Sequence, residues 1–190
     1  CHAVHGVSIG LAPAGAWLAV TGTAPLPAWL LVGAIATWIG GFDVIYATQD
    51  IEIDRQQGLN SLPARFGISR ALIITRCSHV VTTVCLAVVG VVMTLGAAYW
   101  VTVAVVAALL AWENSMVRAT DLSRVNAAFF TVNGIVGMVY LAGVGAGRRD
   151  RGAAASRVRH RLRPAPRGAG EPIRCKPRAA AGRCRSEERR

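Results

Sequence analysis

From Cys1 to Phe42 the chain contains no aspartate, glutamate, lysine or arginine. An uncharged run of that length does not belong on the surface of a soluble domain. It also exceeds the about 20 apolar residues that cross a bilayer core of about 30 Å. It breaks at Gly22-Thr-Ala-Pro-Leu-Pro27, where clustered glycine and proline signal a turn. Two membrane spans are therefore expected, over residues 4–21 and 28–48. Pro13 lies within the first and predicts a kink, which membrane helices tolerate when buried in protein.

The same counting continues along the chain. A second uncharged run extends from Cys77 to Trp112. As one helix it would be about 54 Å long, well beyond a bilayer core. A break near Thr94-Leu-Gly-Ala97 divides it into spans over 70–93 and 98–112. Residues 125–147 form the last uncharged stretch and a fifth span. Gly134, Gly137, Gly143, Gly145 and Gly147 are expected to let its neighbours approach closely. The fold class is all-α, a polytopic transmembrane bundle of about five spans. At 53% hydrophobic and 16% charged residues, the composition agrees with that class, since soluble domains carry about a quarter charged residues.

Charge divides the chain in two. Residues 1–147, the expected transmembrane domain, hold six arginines against six acids. Residues 148–190 hold fourteen arginines and one lysine against four acids, which accounts for the whole net charge of +11. This tail lacks the apolar content to build a core. One reading is a polybasic arm for anionic lipid or nucleic acid. The plainer one is a disordered or frameshifted terminus, so no nucleic-acid partner is expected. Arg55, Arg65, Arg70 and Arg76 cluster between spans two and three, and Arg118 and Arg124 lie between spans four and five. Two crossings separate the clusters, so both face one side, and the positive-inside rule makes it cytoplasmic. The expected location is a bacterial inner (plasma) membrane with these loops in the cytoplasm.

The chemistry gathers at the end of span two. Asp43, Asp50 and Asp54 are seven and four residues apart, which on a continuous helix places three carboxylates on one face. Ala47 leaves room in front of them, and Glu52 projects the other way. Clustered carboxylates call for a positive partner. Their oxygens suit a hard cation such as Mg²⁺, which binds through one or two carboxylates plus substrate phosphates. Ionisable groups at membrane depth usually face a cavity. Arg55 and Arg65 follow in a loop freed by Gly58 and Gly67 and are placed to neutralise a diphosphate. The five cysteines form no CxxC pair, and Cys77 and Cys85 read as small buried packing residues. His79 reads as a hydrogen-bonded core residue, and Asn126 and Asn133 as bonds between helices. There is no Ser-His-Asp grouping, P-loop or Rossmann fingerprint.

The string Gly41-Phe-Asp-Val-Ile-Tyr-Ala-Thr-Gln-Asp-Ile-Glu-Ile-Asp-Arg-Gln-Gln-Gly-Leu-Asn-Ser-Leu-Pro-Ala-Arg-Phe-Gly67 resembles the second Asp-rich motif of UbiA-type aromatic polyprenyltransferases, nearest the 4-hydroxybenzoate branch. Gly10-Leu-Ala-Pro-Ala-Gly-Ala-Trp17 and Asp121-Leu-Ser-Arg-Val-Asn126 resemble flanking family segments, so the likeness covers about residues 1–147. It implies a fold of about nine spans around a cavity, of which five are here. It implies transfer of a polyprenyl group from its diphosphate to an aromatic acid acceptor at the bilayer, with Mg²⁺ as cofactor. By resemblance Asp50 and Asp54 are metal ligands with Asp43 before them, Tyr46 lies near the reacting centre, and Arg55 and Arg65 lie near the diphosphate.

A menaquinone-pathway prenyltransferase with another aromatic acceptor fits the same residues. So do a small transporter and a non-catalytic membrane fragment. The family's first Asp-rich motif, of NDxxDxxxD type, is absent from the 190 residues. We expect a chain cut from a longer parent and inactive alone. The checking observation is an NDxxDxxxD helix encoded upstream; an upstream frame without one removes the expectation.

Overall fold

The computed structural model describes residues 2–161, with residues 127–129 and 148–161 as backbone only. The order is α1 (His2–Gly10), α2 (Ala12–Thr21), α3 (Leu26–Ala47), α4 (Ile51–Gln56), α5 (Leu62–Phe66), α6 (Ile68–Val92), α7 (Ala97–Met116), a π-helical turn (Ala127–Val132) and α8 (Asn133–Arg161). Among the described residues the only β pairing is an isolated bridge between Arg118 and Asp121. Among the described residues, five segments are long and apolar enough to cross a membrane: His2–Thr21, Leu26–Ala47, Ile68–Val92, Ala97–Met116 and Phe130–Gly147.

Each break has a local cause. Pro13 stands at the start of α2 and has no N–H to give, so α1 and α2 form one interrupted crossing. Gly22, at φ 72°, ends α2 in the left-handed conformation that glycine accepts without strain. The Trp29 indole N–H donates to the Ala24 carbonyl at 3.0 Å and braces the turn into α3. The turn between α6 and α7 passes through Thr94, at φ 49°. Helix α7 runs past Trp112 to Met116 and carries Glu113 into the interior at 0% exposure. Helix α8 continues beyond Gly147 to Arg161. The basic segment expected from residue 148 thus begins on this helix, and residues 162–190 of it lie outside the described residues.

In lipid, apolar side chains gain little by meeting one another, so close backbone approach and hydrogen bonds between helices carry association. Both converge on α3. His2, Gly6 and Gly10 are the buried residues of α1 and recur every four residues along one face. A Cβ on Gly6 would collide with the Ala36 carbonyl, and one on Gly10 would lie 2.9 Å from the Val32 carbonyl oxygen. Toward α6, the Thr75 hydroxyl donates to the Gly41 carbonyl at 3.1 Å, and Thr37 and Thr82 pair at 2.9 Å. Toward α8, the Trp38 indole donates to Asn133 Oδ1 at 2.7 Å. Asn133 Nδ2 donates in turn to Glu113 Oε1 of α7 at 3.2 Å. Leu86, Val89, Tyr99, Val106, Leu110 and Val136 form the main apolar core.

The glycines of the last span divide. Gly143 presses on Thr102 and Gly147 on Tyr99, whereas Gly134 and Gly145 face open space. The cysteine expectation needs correction. Cys77 is exposed and Cys85 only half-buried, because α6 turns its Ala71, Thr75, His79 and Thr82 face inward. His79 is buried, with Nδ1 2.7 Å from Asn114 Nδ2. Between α7 and α8, hydrogen bonds from the Ser123 hydroxyl and N–H hold the exposed Asp121 carboxyl below its ordinary range.

Gly6→Ala should lower the resistance of the bundle to SDS unfolding by about 1–3 kcal/mol, the usual range for overpacking. Gly15→Ala, where no atom lies within 4 Å, should not lower it.

Candidate functional site

Asp43 and Tyr46 occupy the last turns of α3, which stops at Ala47. The expected continuous helix through Asp54 is interrupted here. The Thr48 hydroxyl, buried, donates to the Ile45 carbonyl at 2.6 Å, competing with the helical ladder as threonine does near helix ends. The chain turns through Gln49 and Asp50 and resumes as α4 at Ile51. Asp54 thus reaches the site from a second helix.

The carboxylates still meet. Asp43, Tyr46, Ala47, Asp50 and Asp54 line one cavity of about 530 Å³. Leu59, Asn60 and Ser61 of the returning loop and His2 of α1 line it too. The loop is shaped to come back. Gly58 takes φ 67°, and the Leu59 N–H donates to the Asp54 carbonyl at 2.8 Å. Ser61 then caps α5, its hydroxyl accepting from the Ala64 N–H at 3.3 Å. Gly67, at φ 83°, lets α6 start in a new direction.

The two arginines fare differently. Arg65 lines a cavity of about 200 Å³ that shares His2, Asn60 and Ser61 with the first, and its guanidinium lies 5.4 Å from the Phe66 ring centre. Arg55 is turned away. It sits 3.7 Å from Glu52 and bonds the Ala64 carbonyl at 3.5 Å, outside the residues lining either cavity. Glu52 lies outside them too.

His2 escaped the sequence reading. Its Nδ1 lies 2.6 Å from Asp43 Oδ2, and its Nε2 accepts a long hydrogen bond, 3.4 Å, from the Leu62 N–H. The partners are 41 and 60 residues away in sequence, so no local spacing announces them. Asn60 and Ser61 stood in the quoted loop without a role.

The donor set suits a hard cation, with carboxylate, amide and hydroxyl oxygens around one cavity and no thiol. Among the described residues, no three His, Cys, Asp or Glu side chains are grouped to hold a metal ion by themselves. Any ion held here would have to complete its shell with water or substrate phosphate, as Mg²⁺ does. Five membrane-length helices among the described residues, with an acidic cavity at one helix end, define an integral membrane protein.

The residues are similar to known proteins over most of this region. Residues 1–135 match the model of the UbiA prenyltransferase family, and the chain belongs to that family. It is 33% identical to the 4-hydroxybenzoate solanesyltransferase of Synechocystis sp. over 74% of the chain and 48% of that protein. It is 30% identical to the 4-hydroxybenzoate octaprenyltransferase of Chromohalobacter salexigens over 68% of the chain and 43% of that protein. The apo structure of a UbiA homolog from Aeropyrum pernix K1 superposes with a TM-score of 0.67 at 29% identity, over 76% of this chain and 54% of that one. The chain spans about half the length of the relatives it matches.

Ser61→Ala removes the α5 cap, at a cost of about 1 kcal/mol. Tryptic cleavage after Arg65 should then accelerate by roughly fivefold if local opening of α5 admits the protease; an unchanged rate would show that the cap does not hold the loop.

Proposed function

We propose that the chain supplies the diphosphate-binding half of a membrane enzyme that transfers a polyprenyl group from its diphosphate to an aromatic acid of the 4-hydroxybenzoate type. The observation that carries the reading is the convergence of Asp43, Asp50 and Asp54 with Tyr46 on one cavity at the end of a membrane helix. The activities for which the relatives are named support it, and they favour this acceptor over a menaquinone-type one and over a transporter.

In this reading Asp43, Asp50 and Asp54, which line the cavity with Asn60 and Ser61, would hold Mg²⁺ together with water and the substrate diphosphate. Bound there, Mg²⁺ supplies neutralisation of the charge that grows on the leaving diphosphate. Arg65 adds a positive charge from the adjoining cavity. The allylic C–O bond breaks, and its electron pair leaves with the diphosphate. A ring carbon of the acceptor attacks the cationic prenyl carbon and then loses its proton to the released diphosphate. Tyr46 lines the cavity, and an aromatic ring there would stabilise a cation through its π face. The apolar helices keep water away from that carbon. Arg55, drawn to Glu52 and the Ala64 carbonyl, acts only if it swings toward the diphosphate. The arginine-rich loops face the cytoplasm of a bacterial plasma membrane, on the positive-inside rule.

No second Asp-rich string occurs among the 190 residues, so the chain alone is expected to bind but not to turn over. In the intact parent, Asp50→Ala should reduce prenyl transfer at least about 100-fold, the order of loss when one transition-state stabilising group is removed. In this chain, Asp54→Asn should weaken Mg²⁺-dependent binding of geranyl thiodiphosphate by about tenfold. Unchanged affinity would sink the ligand assignment.

A further inference from the structure

We propose that His2 is a positioning residue that holds the Asp43 carboxylate and the α5 loop in one fixed relation, so that the acids and Arg65 face a common ligand. This rests on the diphosphate reading for its purpose, but its geometry stands independently.

The argument begins with the packing of α1. His2, Gly6 and Gly10 form one stripe, and the two glycines bring its backbone against Val32, Ala36 and Gly40 of α3. Gly40 lies close to the His2 carbonyl oxygen as well, 3.5 Å from where its Cβ would be. Asp43 is one turn further along α3. The short imidazole therefore spans the gap, and at 7% exposure it has little water to turn to.

The ring's two nitrogens have different partners. Nε2 accepts from the Leu62 N–H, so Nδ1 carries the proton and donates to Asp43 Oδ2 at 2.6 Å. A neutral imidazole, with one donor and one acceptor, satisfies both at once. An aliphatic side chain satisfies neither. Asp43 thereby has one oxygen committed and its side chain fixed. Leu62 opens α5, and Arg65 lies on the same short helix. The cavity holding the three acids and the cavity holding Arg65 meet at His2. One side chain thus sets the spacing between the acidic wall and the cation.

The test uses the chain in lipid nanodiscs and hydrogen exchange resolved at single amides. In His2→Leu the Leu62 amide should exchange roughly tenfold faster through local opening of the loop. The inner amides of α3 and α6 should keep their protection. His2→Gln, whose amide offers both a donor and an acceptor, should return Leu62 to within about twofold of the wild type. Wild-type exchange at Leu62 in His2→Leu overturns the proposal. So does equal acceleration in the two variants, because a purely steric role would not distinguish them. Protection of residues 59–66 by Mg²⁺ with geranyl thiodiphosphate is then measured in the wild type and in Asp50→Ala. If Asp50→Ala keeps that protection, the diphosphate reading falls and the His2 clamp remains.

Discussion

Helix α3 is approached along one side by the glycines of α1 and along another by the threonines of α6. In a bilayer this closeness does the work that the hydrophobic effect does in water. Lipid tails are as apolar as leucine, so helices gain by packing tightly and by satisfying each other's polar groups. The two conditions are met on different sides of α3. Gly6 and Gly10 remove the side chains that would separate α1 from α3. On the α6 side, Thr75 and Thr82 reach α3 carbonyls that a wider spacing would leave out of range. The site is a product of the same approach, because His2 reaches Asp43 only where Gly6 has already closed the gap.

A second polar path crosses the bundle from Trp38 through Asn133 to Glu113. Glu113 Oε2 has no hydrogen-bond partner among the described residues, and an unmet polar atom in such a place is costly. Asn133 joins three helices, which a single interhelical bond cannot do. It stands directly after the π-helical turn Ala127–Val132.

The helices were legible because the bilayer imposes a length and forbids charge, and five crossings follow from where the arginines and acids are missing. Helix ends were legible where glycine or proline writes them, as at Gly22 and Pro13. The break at Thr48 was not, since Asp43-to-Asp54 spacing fits an unbroken helix and only the burial of the Thr48 hydroxyl decides otherwise. Cys77 was misjudged because small size says nothing about which face of α6 it occupies. His2 lay beyond reach for another reason: its partners come from elements brought together only by tertiary packing.

The break at Thr48 changes what the acids can do. On a straight helix they would form a ridge open to whatever lay opposite. With the chain turning at Asp50 and returning through Gly58, Asn60 and Ser61 join Asp43 around one cavity, and the ridge becomes part of its wall. Three carboxylates there face a single nearby guanidinium, Arg65, while Arg55 is engaged with Glu52. That imbalance repels a free diphosphate. Unit charges about 4 Å apart interact by about 4 kcal/mol at an effective dielectric constant of about 20. On the proposed function, the site therefore favours a diphosphate that arrives with its cation, and Arg65, held in place through His2 and Leu62, discriminates between that complex and the cation alone.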